Sequence, residues 1–570
     1  MDEDNKLGPE QAGFREEFST SDHIFTLYSI IEYYKLKKGR LYCAFVDYSK
    51  AFDQIERSSL WLKLLQNGIS GKILNIIKNM YSKAKSCIKS DGKLSEFFSC
   101  SRGVRQGENL SPIMFAIYLN DFNTFIQDKC DGLLDLNASC EKQFDIYLRL
   151  YVLLYADDSI ILAESAADLQ RALNSLHDYC QKWDLSINIS KTKIIIFARG
   201  KVRNYPCFNF GSDKIEVKDD YVYLGVTFNY NGSFKKAISK QIMQARKAMF
   251  AILQKARILQ LPIDIVCELY ERCVIPVLLY GSEIWGFENI NSLEIFLRSF
   301  LRFVLKSFKF TPNIMLYGET NTVDIKTKID ARMANFWIKL KYGEKPKFSL
   351  ILCSLLSKYY DDTHDANLKW PSKIKSILHE TELTYMWYDP FLNVKSSKLL
   401  LKQRCHDNFI KHWKKNMAKN SQCKVYKLFK EFPKIESYVT ELKTPLLINV
   451  IHFITRVHHL PVTADRFMHN SDTKTKICTK CELNEIGDES HYLFNCTFFS
   501  NDRSKLLSSY HSIAVENIST AWRDILSYSG GNLVKLGKFM KIILSNFDFK
   551  RQNETPIESP ASKVIKFNDI

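Results

Sequence analysis

Two adjacent acidic residues, Asp157 and Asp158, lie between two apolar runs and constrain this chain more than any other sequence feature. The runs cover residues 150–154 and 160–162, and short apolar runs around a polar tip predict a β-hairpin. Two carboxylates at such a tip repel each other and lose hydration, so the pair is costly unless cations neutralise it. The sequence therefore predicts a cation-binding hairpin, and turn or helix-capping aspartates are the simpler alternative.

A third acid, Asp47, ends a β-branched and aromatic run over residues 40–46, and the segment 48–53 then leads into a helix. One further carboxylate is therefore expected at a strand end. Carboxylate oxygens suit magnesium, and two metal ions about 3.5–4 Å apart can stabilise the attacking and leaving oxygens of phosphoryl transfer. If the fold brings Asp47 to the acid pair, the chain has a site for two Mg²⁺ ions.

The charge of the chain indicates a polyanionic partner. The formal net charge is +17, and such a field attracts nucleic acid in a salt-dependent way, although charge alone also fits a merely basic protein. Residues 1–6 lack the character of a signal peptide, and no apolar stretch reaches the ~20 residues of a membrane span. We expect an intracellular protein whose fifteen cysteines are thiols or metal ligands rather than disulfides.

Apolar periodicity divides the chain into a mixed part and a helical part. Up to about residue 228, short apolar runs alternate with helical patterns, which predicts α/β structure. Within it we expect a helix over 111–126, an amphipathic helix over 169–183 and a strand over 193–197. Beyond about residue 231, apolar stripes at three- and four-residue steps predict helices, and the stretch after about residue 549 predicts a disordered tail.

Six motifs in a consistent order carry a resemblance to a known family. They are Gln11–Arg15, Phe45–Asp47 with Ala51–Asp53, Ser101–Gly107, Tyr155–Asp158, Asn188–Thr192 and Tyr223–Gly225. Over these residues the chain resembles the reverse transcriptases of LINE-type (non-LTR) retrotransposons with jockey-like open reading frames. The resemblance implies an α+β right-hand polymerase with fingers, palm and thumb, followed by a mainly α-helical C-terminal region with a zinc knuckle.

The resemblance assigns the chemistry to four residues. Asp47 and Asp157 are the expected principal ligands of the two Mg²⁺ ions, and Asp158 supports them. Lys191 is the expected donor of a proton to the departing pyrophosphate.

The resemblance also implies four residues that bind the incoming nucleotide. Arg15 would hold the triphosphate, since a planar and permanently charged fork suits that task. Phe52 would stack under the sugar and exclude a 2′-hydroxyl, and Gln106 and Gly107 would contact nucleotide and template. The simpler alternatives are a solvated arginine, a phenylalanine of the core and a plain glycine turn before a helix.

Tyr223, Leu224 and Gly225 are expected to form the hairpin that grips the primer end, with a positional rather than a chemical role. Residues 275–285 also resemble the family's thumb, and we interpret them as core packing.

A second cluster of chemistry-bearing residues lies near the C-terminus. Cys478, Cys481, His491 and Cys496 have spacings that a tetrahedral zinc ion can close. They resemble the knuckle found near the C-terminus of LINE reading frames. The sequence predicts structural Zn²⁺ there, with unmetallated thiols as the alternative.

Residues 395–430 carry eleven Lys and Arg and a single acid, Asp407. Aromatic residues are interleaved with these charges, and they are Phe409, Trp413, Tyr426 and Phe429. Such a face could follow phosphates while rings stack on bases. A solvated helix with its aromatic residues in the core explains the same pattern, and both interpretations stay open.

The resemblance implies five consecutive parts: partial fingers and palm (1–230), thumb (231–345), a basic helical nucleic-acid-binding region (346–470), the knuckle with C-terminal helices (471–548) and the tail (549–570). Only ten residues precede Gln11 and no nuclease motif is found, so we expect an element truncated at its 5′ side or a fragmentary gene model.

The expected activity is RNA-directed DNA synthesis, which adds dNTPs to a primer 3′-hydroxyl on an RNA template, as in target-primed reverse transcription. The expected partners are an RNA template, a DNA primer or target and dNTPs, without a membrane, in a ribonucleoprotein of nucleus and cytoplasm. The rival interpretations are an enzyme resembling group II intron maturases, a viral RNA-dependent RNA polymerase and a catalytically inactive nucleic-acid-binding relic.

Overall fold

The structure is a computed structural model, which describes most of the chain. The described residues are 7–8, 10–105, 107–127, 129, 135–138, 146–149, 152–155, 157–343, 347–455, 460, 477–506 and 517–547. Residues 135–138 and 146–149 are described by their backbone only. Gln106 and the expected disordered tail lie outside the described residues.

The strands of the described residues are short and lie mainly in the first half of the chain. They are β1 (Leu41–Asp47), β2 (Lys85–Ser86), β3 (Lys89–Ser90), β4 (Lys93–Leu94), β5 (Phe98–Ser99), β6 (Asp135–Ala138), β7 (Ile146–Arg149), β8 (Val152–Tyr155), β9 (Asp158–Ala163), β10 (Lys193–Phe197), β11 (Phe208–Phe210), β12 (Asp213–Val217), β13 (Asp220–Tyr223) and β14 (Val226–Asn229).

The helices up to residue 305 are α1 (Thr20–Leu36), α2 (Ala51–Gln54), α3 (Arg57–Gln66), α4 (Gly71–Ser82), α5 (Leu110–Tyr118), α6 (Phe122–Gln127), α7 (Ala166–Trp183), α8 (Lys235–Ile258), α9 (Ile263–Leu269), α10 (Ile275–Leu278), α11 (Ser282–Trp285) and α12 (Asn291–Leu305). Helices α1 to α7 alternate with these strands, and α8 to α12 follow the last strand.

The later part of the described chain is helical. Its helices are α13 (Asn313–Thr320), α14 (Ile325–Lys341), α15 (Phe348–Thr363), α16 (Lys369–Glu380), α17 (Tyr385–Tyr388), α18 (Val394–Lys419), α19 (Tyr426–Phe429), α20 (Ser437–Glu441), α21 (Thr444–Ile454), α22 (Ser500–Leu506), α23 (Ile518–Leu526) and α24 (Gly530–Ser545). Short π-helices cover Tyr270–Val274 and His491–Asn495, and 3₁₀ turns cover Ser421–Cys423 and Thr497–Phe499.

A six-stranded sheet in the order β11-β12-β10-β1-β9-β8 is the core of the first part. β1 pairs antiparallel with both β9 and β10. Because side chains alternate between the two faces of a strand, one face of β1 packs against α5 and α7 while the other carries Phe45 and Asp47. The packed face belongs to a core that includes Ala44, Phe115 and Leu173.

The chain divides into two compact units, and the first comprises residues 1–243, 278–290 and 329–404. It contains the six-stranded sheet. The second unit comprises residues 244–277, 291–328 and 405–570. The five consecutive parts implied by the resemblance are functional divisions, and they stay a prediction.

In the second unit, Glu319 is fully buried together with two hydrogen-bond donors and a positive counter-charge. Its carboxylate accepts hydrogen bonds from the hydroxyls of Tyr426 and Tyr438 at 2.7 and 2.6 Å. Lys430 Nζ lies 3.4 Å from the same carboxylate and is equally buried. A buried carboxylate is tolerated when hydrogen bonds and a counter-charge accompany it, so this cluster joins α13 to the segment that contains α19 and α20.

Several predicted elements are confirmed. β10 covers the predicted strand 193–197, and α7 buries the predicted stripe. The single helix expected over 111–126 is wrong in one respect, because the chain turns at residues 119–121 and forms α5 and α6. Both helices still bury their predicted apolar face. Among the described residues, no helix combines the length and apolar character that crossing a bilayer requires.

Candidate functional site

The six-stranded sheet brings together the three carboxylates singled out from the sequence. Asp47 ends β1 and Asp158 begins β9, and the two are direct partners in the antiparallel register. Directly opposite residues project from the same face, with Cβ atoms about 4.5–5.5 Å apart. Asp157 lies in the turn that joins β8 to β9, one residue before Asp158. Asp47 and the adjacent pair Asp157 and Asp158, which are distant along the chain, therefore share one end of the sheet.

The pKa values of these acids reflect their proximity. Burial, together with the charges of Asp157 and Asp47, raises the pKa of Asp158 to about 6. Burial also raises the pKa of Asp157, Asp47 adds to the rise, and Lys191 opposes it. Carboxylates that repel one another in a partly buried site are stabilised by bound cations. The donor set therefore fits hard divalent ions.

Lys191 lies beside the carboxylates on a loop that is tied to the end of β1. Its Nζ is 3.6 Å from Asp47 Oδ2, and most of the side chain is exposed. The Asn188 amide donates to the Asp47 carbonyl oxygen at 2.8 Å. In return, the Asp47 amide donates to Thr192 Oγ1 at 3.2 Å. The loop thus fixes the backbone of Asp47 and leaves the ammonium group of Lys191 free to move in solvent.

The first described residues pair with the outer edge of the acid hairpin. The Ala12 amide donates to the Leu154 carbonyl at 3.0 Å, and the Leu154 amide donates to Glu10 at 2.9 Å. Arg15 Nη1 donates to the carbonyl oxygens of Gly8 and Gln11 at 2.7 and 3.0 Å. In this structure Arg15 therefore stabilises the N-terminal segment, and its contact with a triphosphate stays a prediction.

Phe52 and the predicted nucleotide-positioning loop are in direct contact. The Val104 amide donates to the Phe52 carbonyl at 2.7 Å, and the Gly103 amide donates to Ile55 at 2.9 Å. The Phe52 ring packs on Phe115 with centroids 5.1 Å apart, and the residue is only half-buried. Core packing and partial exposure therefore coexist at this position.

Gly103 and Gly107 both adopt positive φ, but for different reasons. At Gly103, with φ +78°, a Cβ would lie 2.6 Å from the backbone oxygen of Asp53. At Gly107, with φ +89°, a Cβ would meet open space. Gly103 is therefore required for the close approach of the loop to α2, whereas at Gly107 only the backbone conformation favours glycine in this structure. The contact of Gly107 with nucleotide and template stays a prediction.

The predicted primer-grip residues form a two-residue turn. Tyr223 ends β13, Val226 begins β14, and the intervening Leu224 and Gly225 have φ values of +45° and +80°. Two consecutive residues with positive φ are typical of the tight turns in β-hairpins. The Tyr280 hydroxyl donates to the Leu224 carbonyl at 2.9 Å and so supports the turn.

This grip hairpin, residues 220–229, lies on the face of the sheet that carries Asp47. The Tyr221 ring stacks on Phe45 with centroids 4.5 Å apart. Burial raises the pKa of Tyr221 to about 12, and the charges of Asp158 and Asp47 contribute. The hairpin and the carboxylates therefore border one site.

Three residues of functional interest were missed by sequence reasoning. Tyr280 lies within the segment 275–285 that was interpreted as packing, although its hydroxyl supports the grip turn. His23 is buried on α1, and its Nδ1 lies 3.2 Å from the Tyr223 hydroxyl. Glu485 lies 2.7 Å from His491 Nδ1. Only the position of Glu485 between the two ligand pairs could have indicated its role.

The four predicted zinc ligands converge in the second unit. The ligand atoms of Cys478, Cys481, His491 and Cys496 all lie within 4.8 Å of one another. Cys481 Sγ is 3.3 Å from His491 Nε2, and Cys478 Sγ is 3.9 Å from Cys496 Sγ. Atoms bound at about 2.0–2.3 Å around a tetrahedral zinc ion are about 3.3–3.8 Å apart. The cluster therefore has the size and donor chemistry of a zinc site.

The aromatic residues of the basic region belong to the core. Phe409, Trp413 and Tyr426 are buried together with Met315, and Phe429 packs against the same cluster. Stacking of Phe409, Trp413 and Tyr426 on bases is therefore wrong, because these rings are buried in protein. Nucleic-acid binding by the basic region stays a prediction. The interpretation as a solvated helix with a buried aromatic stripe is confirmed.

Carboxylates at paired strand ends, with a lysine beside them and an adjoining hairpin, have the chemistry that nucleotidyl transfer with divalent ions requires. Comparison with known proteins identifies the domain. Residues 1–228 match the family described as "Reverse transcriptase (RNA-dependent DNA polymerase)". Over these residues the chain is similar to reverse transcriptases, and its relatives are polymerases of LINE-type, non-LTR retrotransposons.

The relatives are distant and longer. The chain is 24% identical over 303 residues to the "RNA-directed DNA polymerase from mobile element jockey" of Drosophila funebris. This alignment covers 51% of the chain and 31% of that protein. It is 25% identical over 236 residues to the Pol polyprotein of the type-2 retrotransposable element R2DM of Drosophila melanogaster, covering 39% and 21%. The chain therefore spans a third or less of these two relatives. The structure of apo telomerase from Candida tropicalis aligns with 69% of this chain and 57% of its own, at 12% identity and a TM-score of 0.31.

Proposed function

We propose that this chain is an RNA-directed DNA polymerase of a LINE-type retrotransposon, which extends a primer 3′-hydroxyl in target-primed reverse transcription. The pairing of Asp47 with Asp158, next to Asp157, supports the proposal most strongly. Carboxylates on rigid strand ends can hold metal ions at a fixed distance, as in-line phosphoryl transfer requires.

The proposed roles follow from the positions of the side chains. Asp47 and Asp157, with help from Asp158, would hold two Mg²⁺ ions, which when bound would supply activation of the primer hydroxyl and neutralisation of the triphosphate. Lys191, 3.6 Å from Asp47, is placed to give a proton to the pyrophosphate. Its exposed stem can swing toward the leaving group.

The proposed partners are an RNA template, a DNA primer or target and dNTPs. The net charge of +17 favours association with such polyanions. This reaction would require the chain to work in a ribonucleoprotein that passes between cytoplasm and nucleus. The fingers, palm and thumb division given above belongs to the same proposal.

A primer-extension assay with an RNA template, dNTPs and Mg²⁺ tests this function. Asp157→Ala should reduce extension at least about 100-fold, because it removes charge stabilisation from the reacting centre. Asp213→Ala, which changes an exposed acid at the start of β12, is the matched control and should extend normally. Absence of extension by the unaltered chain at every Mg²⁺ concentration would favour the inactive nucleic-acid-binding relic.

Nucleotide selection separates this proposal from an RNA polymerase. The half-buried Phe52 should exclude the 2′-hydroxyl, so Phe52→Ala should raise incorporation of ribonucleotides relative to deoxynucleotides. A chain that already prefers ribonucleotides would instead be an RNA-dependent RNA polymerase.

We also propose that Cys478, Cys481, His491 and Cys496 bind a structural Zn²⁺ ion. Three thiols and one imidazole at tetrahedral spacing support this assignment. Metal analysis of the purified chain should find about one zinc ion per molecule. Cys478→Ser should lose that ion, whereas Cys207→Ser, at an exposed thiol away from the cluster, should retain it.

A further inference from the structure

A basic hairpin projects from the first unit between α4 and the loop that contacts Phe52. We call residues 83–100 the basic ribbon. It is formed by the pairing of β2 with β5 and of β3 with β4. Asp91 and Gly92, with φ values of +49° and +79°, make its tight turn. An Asp-Gly pair of this conformation fixes the register of a hairpin.

The basic ribbon exposes large apolar side chains that no part of the described chain covers. Phe97 and Phe98 are 65% and 50% exposed, and Ile88 and Leu94 are exposed to a similar degree. Large apolar side chains that cluster on an exposed surface mark interaction sites. A two-stranded ribbon this short is also marginal by itself, so a bound partner would stabilise it.

The charge of the ribbon indicates what kind of partner it fits. Lys83, Lys85, Lys89 and Lys93 are all exposed. Over residues 72–105 there are eight Lys and Arg and two acids. Lysines interleaved with exposed aromatic rings are the arrangement that binds single-stranded nucleic acid, because the lysines face phosphates while the rings stack on bases.

Arg57 anchors the base of the ribbon. Its Nη1 donates to the carbonyl oxygens of Cys100 and Tyr81 at 2.6 and 3.1 Å, one on each side of the hairpin. Its Nε donates to the Gly103 carbonyl at 3.0 Å. Through Gly103 the ribbon is therefore joined to the loop that hydrogen-bonds to the backbone of Phe52.

The contacts along β1 and α2 indicate on which side of the carboxylates the basic ribbon lies. Phe45 contacts the grip hairpin, Asp47 belongs to the site, and Phe52 contacts the loop at the base of the ribbon. In the proposed reaction, the primer end lies at the grip hairpin and the incoming nucleotide at Phe52. The template beyond the incoming nucleotide is still unpaired, so the ribbon lies on the side where single-stranded template arrives.

We propose that the basic ribbon binds the unpaired template ahead of the incoming nucleotide, with Phe97 and Phe98 stacking on its bases and Lys85, Lys89 and Lys93 near its phosphates. This inference rests on the proposed polymerase function for its direction. Its eight-residue arms, at about 3.3 Å per residue, extend about 25 Å, which is long enough to contact several nucleotides.

The test compares two primer–template duplexes, one blunt and one with a template overhang of about ten nucleotides, a length within the range of single-strand sites. Equilibrium binding to the full chain is measured by fluorescence anisotropy, without dNTPs. The unaltered chain should bind the overhang duplex more tightly. The double variant Phe97→Ala/Phe98→Ala should lose about 10-fold or more of that advantage and bind the blunt duplex as before, since each stacked base contributes substantially.

The control and the charge variant separate stacking from general effects. Ile73→Ala/Met80→Ala removes exposed apolar side chains of α4 and should leave the overhang advantage intact. The variant Lys85→Gln/Lys89→Gln/Lys93→Gln should lower the salt dependence of overhang binding by about 2 in the log–log slope. Thermal melts of all variants check that the fold is retained.

The results distinguish this inference from the polymerase function. If the unaltered chain extends primers but binds both duplexes equally, the inference is wrong and the polymerase proposal stands. If the Phe97/Phe98 variant keeps the full overhang advantage, the inference is also wrong. A change from dimer to monomer in that variant, with overhang binding unchanged, would instead assign the ribbon to self-association. Tight overhang binding that depends on the ribbon, in a chain without extension activity, would support the inference and contradict the polymerase proposal.

Discussion

His23 Nδ1 lies 3.2 Å from the hydroxyl of Tyr223, and both side chains are buried. The His23 ring also contacts Tyr155 edge to face, with centroids 6.1 Å apart. Tyr155 is the strand residue paired with Asp158, and Tyr223 adjoins the turn of the grip hairpin. One imidazole of α1 therefore contacts both the hairpin that carries the acids and the hairpin proposed to hold the primer.

We expect His23 to act as a positioning residue. His23→Ala should lower the efficiency of primer extension about 10- to 100-fold, because small displacements of reacting groups have large effects on rate. The KM for primer should rise more than the KM for dNTP. His23→Asn, which can place a polar atom near the position of Nδ1, should recover part of the activity.

Tyr223→Phe is the matched test of the same contact. It removes the hydroxyl and should reproduce the primer effect in the unaltered chain but add little to His23→Ala. If the two substitutions are fully additive, or if the primer and dNTP KM values change equally, the proposed coupling is wrong.

The buried His23 should also make stability depend on pH. Burial lowers the pKa of His23 from 6.5 to about 4, against the opposing charge of Asp22. Between these pH values the His23 imidazole is therefore protonated in the unfolded chain but neutral in the folded chain. The free energy of unfolding consequently falls as the pH drops through this window. Tyr155 and Tyr223, which also contact the ring, are neutral throughout it.

The measurement is urea unfolding of the unaltered chain and of His23→Asn at about pH 7 and about pH 5. The unaltered chain should lose about 2 kcal/mol more than the variant between the two conditions. Equal losses in both proteins would show that His23 is protonated in the folded state or that the site is hydrated.

Local periodicity and strand-end chemistry made the acid site predictable. Two apolar runs around Asp157 and Asp158, and one run ending at Asp47, each indicate a strand, and the structure pairs those strands. The same reasoning could not find His23 or Tyr280. Their roles depend on α1 and on residues 278–290 lying against the grip hairpin, and such long-range packing leaves no periodic trace in the sequence.

The aromatic residues of the basic region show where composition misleads. Phe409 and Trp413 recur at four-residue spacing among lysines, which fits a stacking surface and a buried helical stripe equally well. Only the tertiary contacts of α18 with Met315 and Tyr426 decide between them. Conversely, the exposed Phe97 and Phe98 resemble core residues in sequence, because a protruding ribbon cannot be recognised without its neighbours.

The two glycines of the Phe52 loop provide a matched pair for mutation. Both have positive φ, so Ala at either position costs about 1–2 kcal/mol through the backbone alone. Gly103→Ala should cost more, since its Cβ would lie 2.6 Å from a backbone oxygen that cannot rotate away. We expect the thermal midpoint, measured by melting curves, to fall more with Gly103→Ala than with Gly107→Ala. The KM for dNTP, measured by primer extension, should also rise more with Gly103→Ala. Equal effects would indicate that the loop does not lie against α2.

Glu485 orients the histidine of the proposed zinc cluster. Glu485 Oε2 lies 2.7 Å from His491 Nδ1, while the Cys478 amide donates to the Glu485 backbone at 2.8 Å. A carboxylate that accepts from the distal nitrogen fixes the tautomer with Nε2 free for metal, and loss of such a partner typically weakens metal affinity about 10–100-fold.

Glu485→Ala should therefore weaken zinc binding by that factor, as measured by competition with a chromogenic chelator. Glu485→Gln retains an oxygen acceptor and should lie between Ala and the unaltered chain. Glu482→Ala, which changes an exposed acid of the same loop, controls for the loss of negative charge. If Glu482→Ala weakens zinc binding as much as Glu485→Ala, the effect is general electrostatic attraction, and the hydrogen bond to His491 has no special role. A graded order of Ala, Gln and Glu with an unaffected Glu482 variant would instead assign the effect to that contact.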